Sequence, residues 1–312
     1  MLYTAAETLC ARISLLTRAA WAPDLPAPLS RKTVRTLIDR GALSGLVLRE
    51  GTSVPPATLE RARALLTRTS EVYDLLKDYH ARGYRTLLPE DRNWPAALFS
   101  LWQQMPLFLF YRGDLSLLDG RRVSVAGSRS ILPQTGAMAR RVGERMAREG
   151  LTMVCGGALG VDNAAQDGAL RAGGRLILVP ARPAQETMTR PLFQTALQEG
   201  RLLMLSDALP DEPFSPQRAL GRNHIIYALG AAALVLAARE GKGGSWRGAR
   251  ACLSRGDTPV FVPAEGNADQ AGCAALRDLG ARTFMPDAEQ TLCEQLFPES
   301  GTMRDAKNGA GM

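Results

Sequence analysis

Two short stretches of this chain combine residue types that can hold a phosphate group. Residues 123–129 are an apolar run that ends in Gly127-Ser128-Arg129 and precedes a helical pattern. Backbone N–H groups, a hydroxyl and a guanidinium therefore converge at a helix start, which favours an anion. Arg222 and Asn223 stand directly before a second apolar run, which predicts a charged fork and an amide at the mouth of a core-facing element.

Two glycine-rich segments add further polar groups, and we predict that both are turns that follow buried strands. Residues 155–162 lead into an Ala-rich helix, and their glycines would let a ligand approach the backbone closely: Gly156, Gly157 and Gly160. Asp162 either caps this helix or contacts the ligand. Residues 241–246 supply a cation, flexible N–H donors and a hydroxyl from Lys242, Gly243, Gly244 and Ser245, and a second cation, Arg247, follows. Trp246 is either a stacking surface or, more commonly for tryptophan, part of the core.

Other site types fit the sequence less well. The Gly-Ser-Arg turn lacks the G-x-G-x-x-G spacing of dinucleotide sites, and no acidic residue ends the second strand, which disfavours NAD. The five cysteines are widely spaced without a C-x-x-C pair, and His80 and His224 are the two histidines of the chain. We therefore expect no disulfide framework, no metal, no cofactor and no catalytic residues.

Composition sets the class of protein. The 312 residues are 46% hydrophobic and 22% charged, and no apolar run is long enough for a membrane span. The first residues lack the pattern of a signal peptide, so we expect a soluble, cytoplasmic protein without membrane contact.

Positive charge is concentrated around the predicted phosphate turns. The net charge is +7, and residues 121–148 hold seven arginines against one acid, Glu144. Residues 239–255 hold five basic residues against Glu240, whereas residues 1–120 are near balance. This distribution favours an anionic partner, although solvated helix faces would produce a similar pattern.

The elements that position these residues are predicted from residue 121 onward. Short apolar runs alternate with helical periods, and glycines precede most of the runs, as expected of helix ends before parallel strands. We predict an α/β fold, a Rossmann-like doubly wound, mostly parallel sheet, with strands at residues 123–126, 151–155, 175–179, 202–205, 232–237, 259–262 and 281–284. In the helix after the first strand, Met138, Val142 and Met146 recur every four residues and are predicted core positions.

The rest of the chain differs from this pattern. Helical stretches at about residues 4–19 and 57–82 flank a Pro-rich segment, so a small helical (SAM-like) N-terminal domain is predicted at 1–83. An extended lead-in at 84–120, the Rossmann-like domain at 121–298 and a disordered tail at 299–312 complete the predicted organisation.

The sequence resembles the DNA-processing protein A family, also called Smf. The resemblance rests on residues 123–129, the loop 156–162, Arg222-Asn223 with Ile225-Ile226, and Gly272-Cys273, in the family's order, with residues 106–114 similar to its lead-in. The chain departs from the family's usual Ser, Arg and His at Cys155, Leu159 and Gln166, which indicates a divergent member.

The resemblance implies a non-catalytic protein that binds single-stranded DNA, dimerises, and protects the strand or loads a RecA-type recombinase on it. Gly127, Ser128 and Arg129 would contact phosphate, Lys242 would line the same basic pocket, and Arg222 and Asn223 would shape its floor. The pathway would be DNA uptake in natural transformation, recombination, antiphage defence or a toxin–antitoxin system with a cognate toxin or effector protein. The alternatives are a nucleotide-sensing or antitoxin-type regulator and, with weaker support, a nucleotide phosphoribohydrolase, for which the required glutamate is missing after Gly243-Gly244.

Overall fold

The computed structural model describes residues 5–17, 24–50, 52–264 and 270–298. The chain divides into two compact units, one running to Arg112 with Leu205–Glu212 and the other containing Gly113–Met204 and the chain from Pro213. The predicted domain boundaries stay predictions. The predicted disordered tail, 299–312, lies outside the described residues.

The first unit is built on helices with short antiparallel strand pairs. Its elements are α1 (Ala5–Leu16), α2 (Arg31–Asp39), β1 (Leu43–Ser44), β2 (Val47–Leu48), α3 (Pro56–Leu66), α4 (Thr69–Ala81), β3 (Arg85–Leu87), a 3₁₀ segment (Ala96–Gln104) and β4 (Leu109–Gly113). β1 pairs with β2 and β3 pairs with β4, both antiparallel.

The stretch predicted to be helical at about residues 57–82 contains two helices, α3 and α4. Arg68 lies between them, is buried, and donates a hydrogen bond of 2.6 Å to the carbonyl oxygen of Ser14. Tertiary contact thus fixes Arg68 at the break, and no Gly or Pro marks it in the sequence.

The second unit contains the parallel sheet. Its strands are β5 (Arg122–Gly127), β6 (Thr152–Cys155), β7 (Arg175–Leu178), β8 (Leu202–Ser206), β9 (Ala232–Ala237), β10 (Val260–Pro263) and β11 (Arg282–Phe284). They lie in the order β11-β10-β9-β5-β6-β7-β8, and all six neighbouring pairs are parallel. The predicted fold class and all seven strands are confirmed.

The strand order reverses between β5 and β9. The chain moves outward from β5 through β6 and β7 to β8, then returns to the other side of β5 with β9. At such a switch point the connections after the two neighbouring strands diverge and leave a crevice at their carboxyl ends.

Helices connect these strands. They are α5 (Pro133–Arg148), α6 (Val161–Arg171), α7 (Ala184–Thr187), α8 (Pro191–Gln198), α9 (Pro216–Leu229), α10 (Gly243–Arg255), α11 (Ala271–Asp278) and α12 (Leu292–Leu296). Met138, Val142 and Met146 are buried, which confirms the core face predicted for α5. Within the described residues, none of the helices is both long and apolar enough to cross a membrane.

Candidate functional site

A cavity of about 550 Å³ lies where the strand order reverses. Its wall includes the end of β5, the start of α10 and one side of α9. Eleven of the fourteen predicted site residues line it: Gly127, Ser128, Arg129, Asp162, Arg222, Asn223, Lys242, Gly243, Gly244, Ser245 and Arg247. Four segments that are far apart in sequence therefore meet at one site.

The Gly-Ser-Arg turn is held between β9 and the start of α6. The Ser128 N–H donates to the carbonyl oxygen of Ala237 at 2.9 Å, and a Cβ on Gly127 would lie 2.3 Å from Cγ2 of Val161. Glycine is therefore required by packing at position 127. Arg129 beyond it is exposed, with its guanidinium carbon 5.7 Å from the centre of the Phe214 ring.

The other three predicted residues, Gly156, Gly157 and Gly160, do not line the cavity but support its wall. A Cβ on Gly156 would lie 1.7 Å from Nη1 of Arg222, and one on Gly160 would lie 2.2 Å from the carbonyl oxygen of Ser128. Gly157 and Gly160 have φ of +66° and +80°. The groups closest to Gly156 and Gly160 are therefore other parts of the protein. That these three glycines take part in binding stays a prediction.

Asp162 stabilises this loop from inside. Its buried carboxylate accepts hydrogen bonds from the N–H groups of Gly156 at 3.0 Å and Ala158 at 3.3 Å. Burial raises the pKa of Asp162 to about 6, and the nearby positive charge of Arg222 opposes that rise. The carboxylate bonds to the loop that precedes the helix, while the N-cap position belongs to Gly160.

The predicted position of Arg222 and Asn223 at the mouth of an element is wrong. Both lie inside α9, which begins at Pro216 after Ser215, whose hydroxyl accepts from the N–H of Arg218 at 3.1 Å. Arg222 is only 5% exposed. Asn223 donates from its amide to the carbonyl oxygen of Gly244 at 3.3 Å, which joins α9 to α10.

The predicted glycine turn at residues 241–246 is also wrong in part. Gly243, Gly244 and Ser245 form the first turn of α10, and Lys242 is its N-cap residue. The first N–H groups of a helix have no partner within the helix and favour anions, so this correction strengthens the phosphate interpretation. Trp246 is buried in a core cluster with Tyr227 and Cys252, which confirms its core interpretation.

Eleven lining residues were absent from the predicted site, among them a cation and an exposed aromatic ring: Arg239 and Phe214. Arg239 belongs to the basic run noted in the sequence, so its charge was a readable signal. Phe214 is 43% exposed and precedes the Ser-Pro start of α9, and its exposure could not be read from the sequence.

The cavity is strongly cationic. Arg129, Arg239, Lys242 and Arg247 are exposed, whereas the fifth lining cation, Arg222, is buried near Asp162. Asp162 carries the one carboxyl group among the described residues that line the cavity. Four exposed positive charges thus surround a site with helix N–H donors, which suits a phosphate-bearing ligand.

The chain is similar to known proteins over most of its length. Residues 85–296 match the family model described as DNA recombination-mediator protein A. The DNA processing protein DprA of Bacillus subtilis is 27% identical over 209 residues, which are 65% of this chain and 70% of that protein.

Two solved structures are also similar. DNA processing protein A of Streptococcus pneumoniae aligns with a TM-score of 0.65 at 22% identity, covering 91% of this chain and 96% of that one. DNA processing protein A of Helicobacter pylori, whose structure is described by its single-stranded DNA binding mode, aligns with a TM-score of 0.55 at 26% identity over 72% of this chain and 96% of that one. Because the family model covers more than half of the sequence, this chain belongs to the DNA recombination-mediator protein A family.

Proposed function

We propose that the cavity at the switch point binds single-stranded DNA without breaking a bond. The observation that carries the proposal is the convergence of four distant segments, with four exposed cations, on one cavity of about 550 Å³. The single-stranded DNA binding named for the Helicobacter pylori relative supports this ligand.

The phosphates bind at the helix N-terminus and the rim cations. Arg129, Lys242 and Arg247 supply charge, and the first N–H groups of α10 supply directed donors. Phe214 lies on the same wall beside Arg129, where an exposed ring contacts a base. Gly127 and Ser128 hold the turn that carries Arg129.

The finer role is protection of the strand and its transfer to a RecA-type recombinase by a homodimer in the cytoplasm. The family membership supports this role for DNA uptake or recombination. A role in antiphage defence or in a toxin–antitoxin system would use the same cavity, because each role requires only that the protein bind a strand.

The test is a fluorescence anisotropy titration with a dT oligomer at several salt concentrations. Arg129→Ala and Lys242→Ala each remove one rim cation, and the matched control is Arg250→Ala, an exposed cation of α10 outside the cavity. We expect both rim variants to bind several-fold more weakly with a shallower salt dependence, since each phosphate contact on a single strand contributes about 0.7 to the slope. Equal affinity of wild type and both rim variants contradicts the proposal.

The same titration distinguishes binding of a DNA strand from the alternative, binding of a small nucleotide by a sensor. The volume of the cavity falls in the range of small-molecule sites, which favours that alternative. Four exposed cations allow a slope of up to about 2.8 for a strand, whereas a mononucleotide gives a slope near that of one contact.

Glycosidic cleavage is the remaining alternative. It needs a carboxylate that can reach the bond, and Asp162 is engaged by two N–H groups of its own loop. Incubation with AMP, followed by measurement of released adenine, tests this point directly. We expect no release above the level of the Asp162→Asn variant.

A further inference from the structure

The first unit has a cavity of its own, with a volume of about 480 Å³. Its lining comes from the start of α1, one face of α4, and β3 and β4. The volume falls within the range of ordinary ligand sites. The proposed DNA site does not use any of these residues, because its lining belongs to the second unit.

The floor of this cavity is aromatic. Tyr79, Tyr84 and Phe110 are each buried. The Tyr79 ring meets Phe110 with centres 5.6 Å apart at 82° and meets Tyr84 at 6.3 Å and 78°. Such edge-to-face clusters accept a further ring in the same geometry, so the floor suits an aromatic side chain.

The rim of this cavity is polar and mainly cationic. Tyr73, Lys77 and His80 lie on one face of α4, at spacings of four and three residues. Tyr73 is 49% exposed, and Nζ of Lys77 lies 4.5 Å from the centre of its ring. Lys77 also pairs with Asp74 at 3.1 Å.

Arg85 of β3 is fixed at the same rim. Its guanidinium donates to the carbonyl oxygens of His80 at 3.0 Å and Tyr84 at 2.9 Å. The acid that lines the cavity, Asp91, already accepts a hydrogen bond from the N–H of Leu88 at 2.6 Å. An entering carboxylate therefore meets two cations and one engaged acid, which is favourable charge complementarity.

We propose that this cavity binds a partner protein through an aromatic side chain flanked by carboxylates. The ring enters over the floor formed by Tyr79, Tyr84 and Phe110, next to the exposed Tyr73, and the carboxylates lie at Lys77 and Arg85. Aromatic anchors in desolvated pockets carry much of the binding energy of interfaces, and the surrounding charges set specificity.

A nucleic acid fits this cavity less well than a peptide. Among the four lining aromatics Tyr73 alone is exposed, and Lys77 already lies over its ring, which leaves little free surface for successive bases. Glu71, Asp74 and Asp78 are exposed on α4 and repel a continuous phosphate backbone. A peptide carries only one or two carboxylates, so these three acids repel it less than they repel a chain of phosphates.

The experiment is an anisotropy titration of the full chain with three fluorescein-labelled peptides. One has phenylalanine between two aspartates, the second has alanine in place of phenylalanine, and the third has lysines in place of the aspartates. The variants are Arg85→Glu and Tyr73→Ala. The matched control is Arg63→Glu, an exposed arginine of α3 in the same unit that pairs with Glu50 and does not line the cavity.

We expect the acidic aromatic peptide to bind about tenfold more tightly than either of the other peptides. Arg85→Glu and Tyr73→Ala should each weaken that binding several-fold, whereas Arg63→Glu should bind the peptide as wild type does. All three variants should keep the wild-type affinity for the dT oligomer. Circular dichroism confirms folding of each variant, and Tyr73→Ala carries the test if loss of the Arg85 hydrogen bonds disturbs the fold. Equal affinity for the three peptides overturns the proposal, and so does loss of dT binding in the two variants with peptide binding intact, since a nucleic acid would then be the ligand.

Discussion

Gly160→Ala should damage the proposed DNA site through packing, because Gly160 supports the turn that carries Arg129. Gly160 stands at the N-terminus of α6 with φ +80° and ψ −125°. Its missing Cβ would lie 2.2 Å from the carbonyl oxygen of Ser128 and 2.6 Å from that of Arg129. Both neighbours are backbone atoms of the turn that carries the guanidinium, so they cannot rotate away as a flexible side chain would.

The magnitude follows from two costs. The backbone conformation of Gly160 lies outside the left-handed α region and costs an L-residue about 1–3 kcal/mol, and forcing an atom into packed surroundings costs about 1–3 kcal/mol more. To restore an ordinary contact of 3.4 Å, the Ser128 carbonyl must retreat by roughly 1.2 Å, the difference between 3.4 and 2.2 Å. A shift of this size moves Arg129 out of position, so we expect Gly160→Ala to lose about as much affinity as Arg129→Ala.

The chain offers a matched control at the other end of the same helix. Gly173 follows α6 with φ +77°, and a Cβ there would meet nothing within 4 Å. Gly173→Ala therefore carries the cost of the φ angle without the clash. Urea unfolding should show a loss of about 1–2 kcal/mol for Gly173→Ala and about 2–6 kcal/mol for Gly160→Ala.

The two variants are then titrated with the dT oligomer under conditions where both are folded. Gly173→Ala should bind as wild type does. Wild-type affinity in Gly160→Ala would refute the reasoning, because the loop would then be able to move without carrying Arg129 with it.

Three further predictions concern other residues of the second unit. Asp162 has a pKa of about 6 in the folded protein, against an ordinary value of 3.8, so between these two values the folded state binds a proton that the unfolded state does not. The free energy of unfolding should therefore fall as the pH rises through that window. Asp162→Asn should abolish this part of the pH dependence of urea unfolding, and an unchanged profile would contradict the assignment. Phe214→Ala should weaken binding of a dT oligomer by about 1–3 kcal/mol but leave binding of an abasic oligomer unchanged, with Phe214→Tyr as the control; equal losses on both oligomers would argue against base contact. Gly143→Ala should destabilise the fold, since its Cβ would lie 2.0 Å from the carbonyl oxygen of Ala165. On the same helix, the Cβ of Gly136→Ala would have its nearest neighbour at 3.6 Å, so this variant should gain up to about 1 kcal/mol of stability. Thermal unfolding compares the two variants.

The parallel sheet was predictable because its strands are buried on both faces. The run Ala232–Ala237 is continuously apolar and fully buried, and its predicted bounds agree with β9. The glycines before the strands gave the ends of the helices: Gly150, Gly200, Gly256 and Gly280 all have positive φ. At the turn before β7, however, Gly173 takes the positive φ and not Gly174, and the sequence offers both side by side.

The starts of α9 and α10 were harder to predict. Gly243 and Gly244 have low helix propensity, which suggested a turn, but the first turn of a helix tolerates glycine because its N–H groups lack helical partners in any case. Ser215 followed by Pro216 was a readable helix start, and it places Arg222 two turns inside α9. Helix continuity thus determines which face carries Arg222, and a motif of four residues does not contain that information.

Arg222 and Gly156 explain why a glycine-rich motif predicts where a binding site lies more reliably than it predicts which residues contact the ligand. A missing Cβ permits close approach by a ligand or by another part of the chain, and the sequence is the same in both cases. At Gly156 the approaching group is the guanidinium of Arg222, 1.7 Å from where a Cβ would stand. That buried cation lies near the ionisable Asp162, so the fields of the two largely cancel at a distance when the acid is charged. Attraction of a polyanion therefore depends on the four exposed cations, and the glycines act by allowing the loop, the buried arginine and the Gly-Ser-Arg turn to pack closely enough to position Arg129.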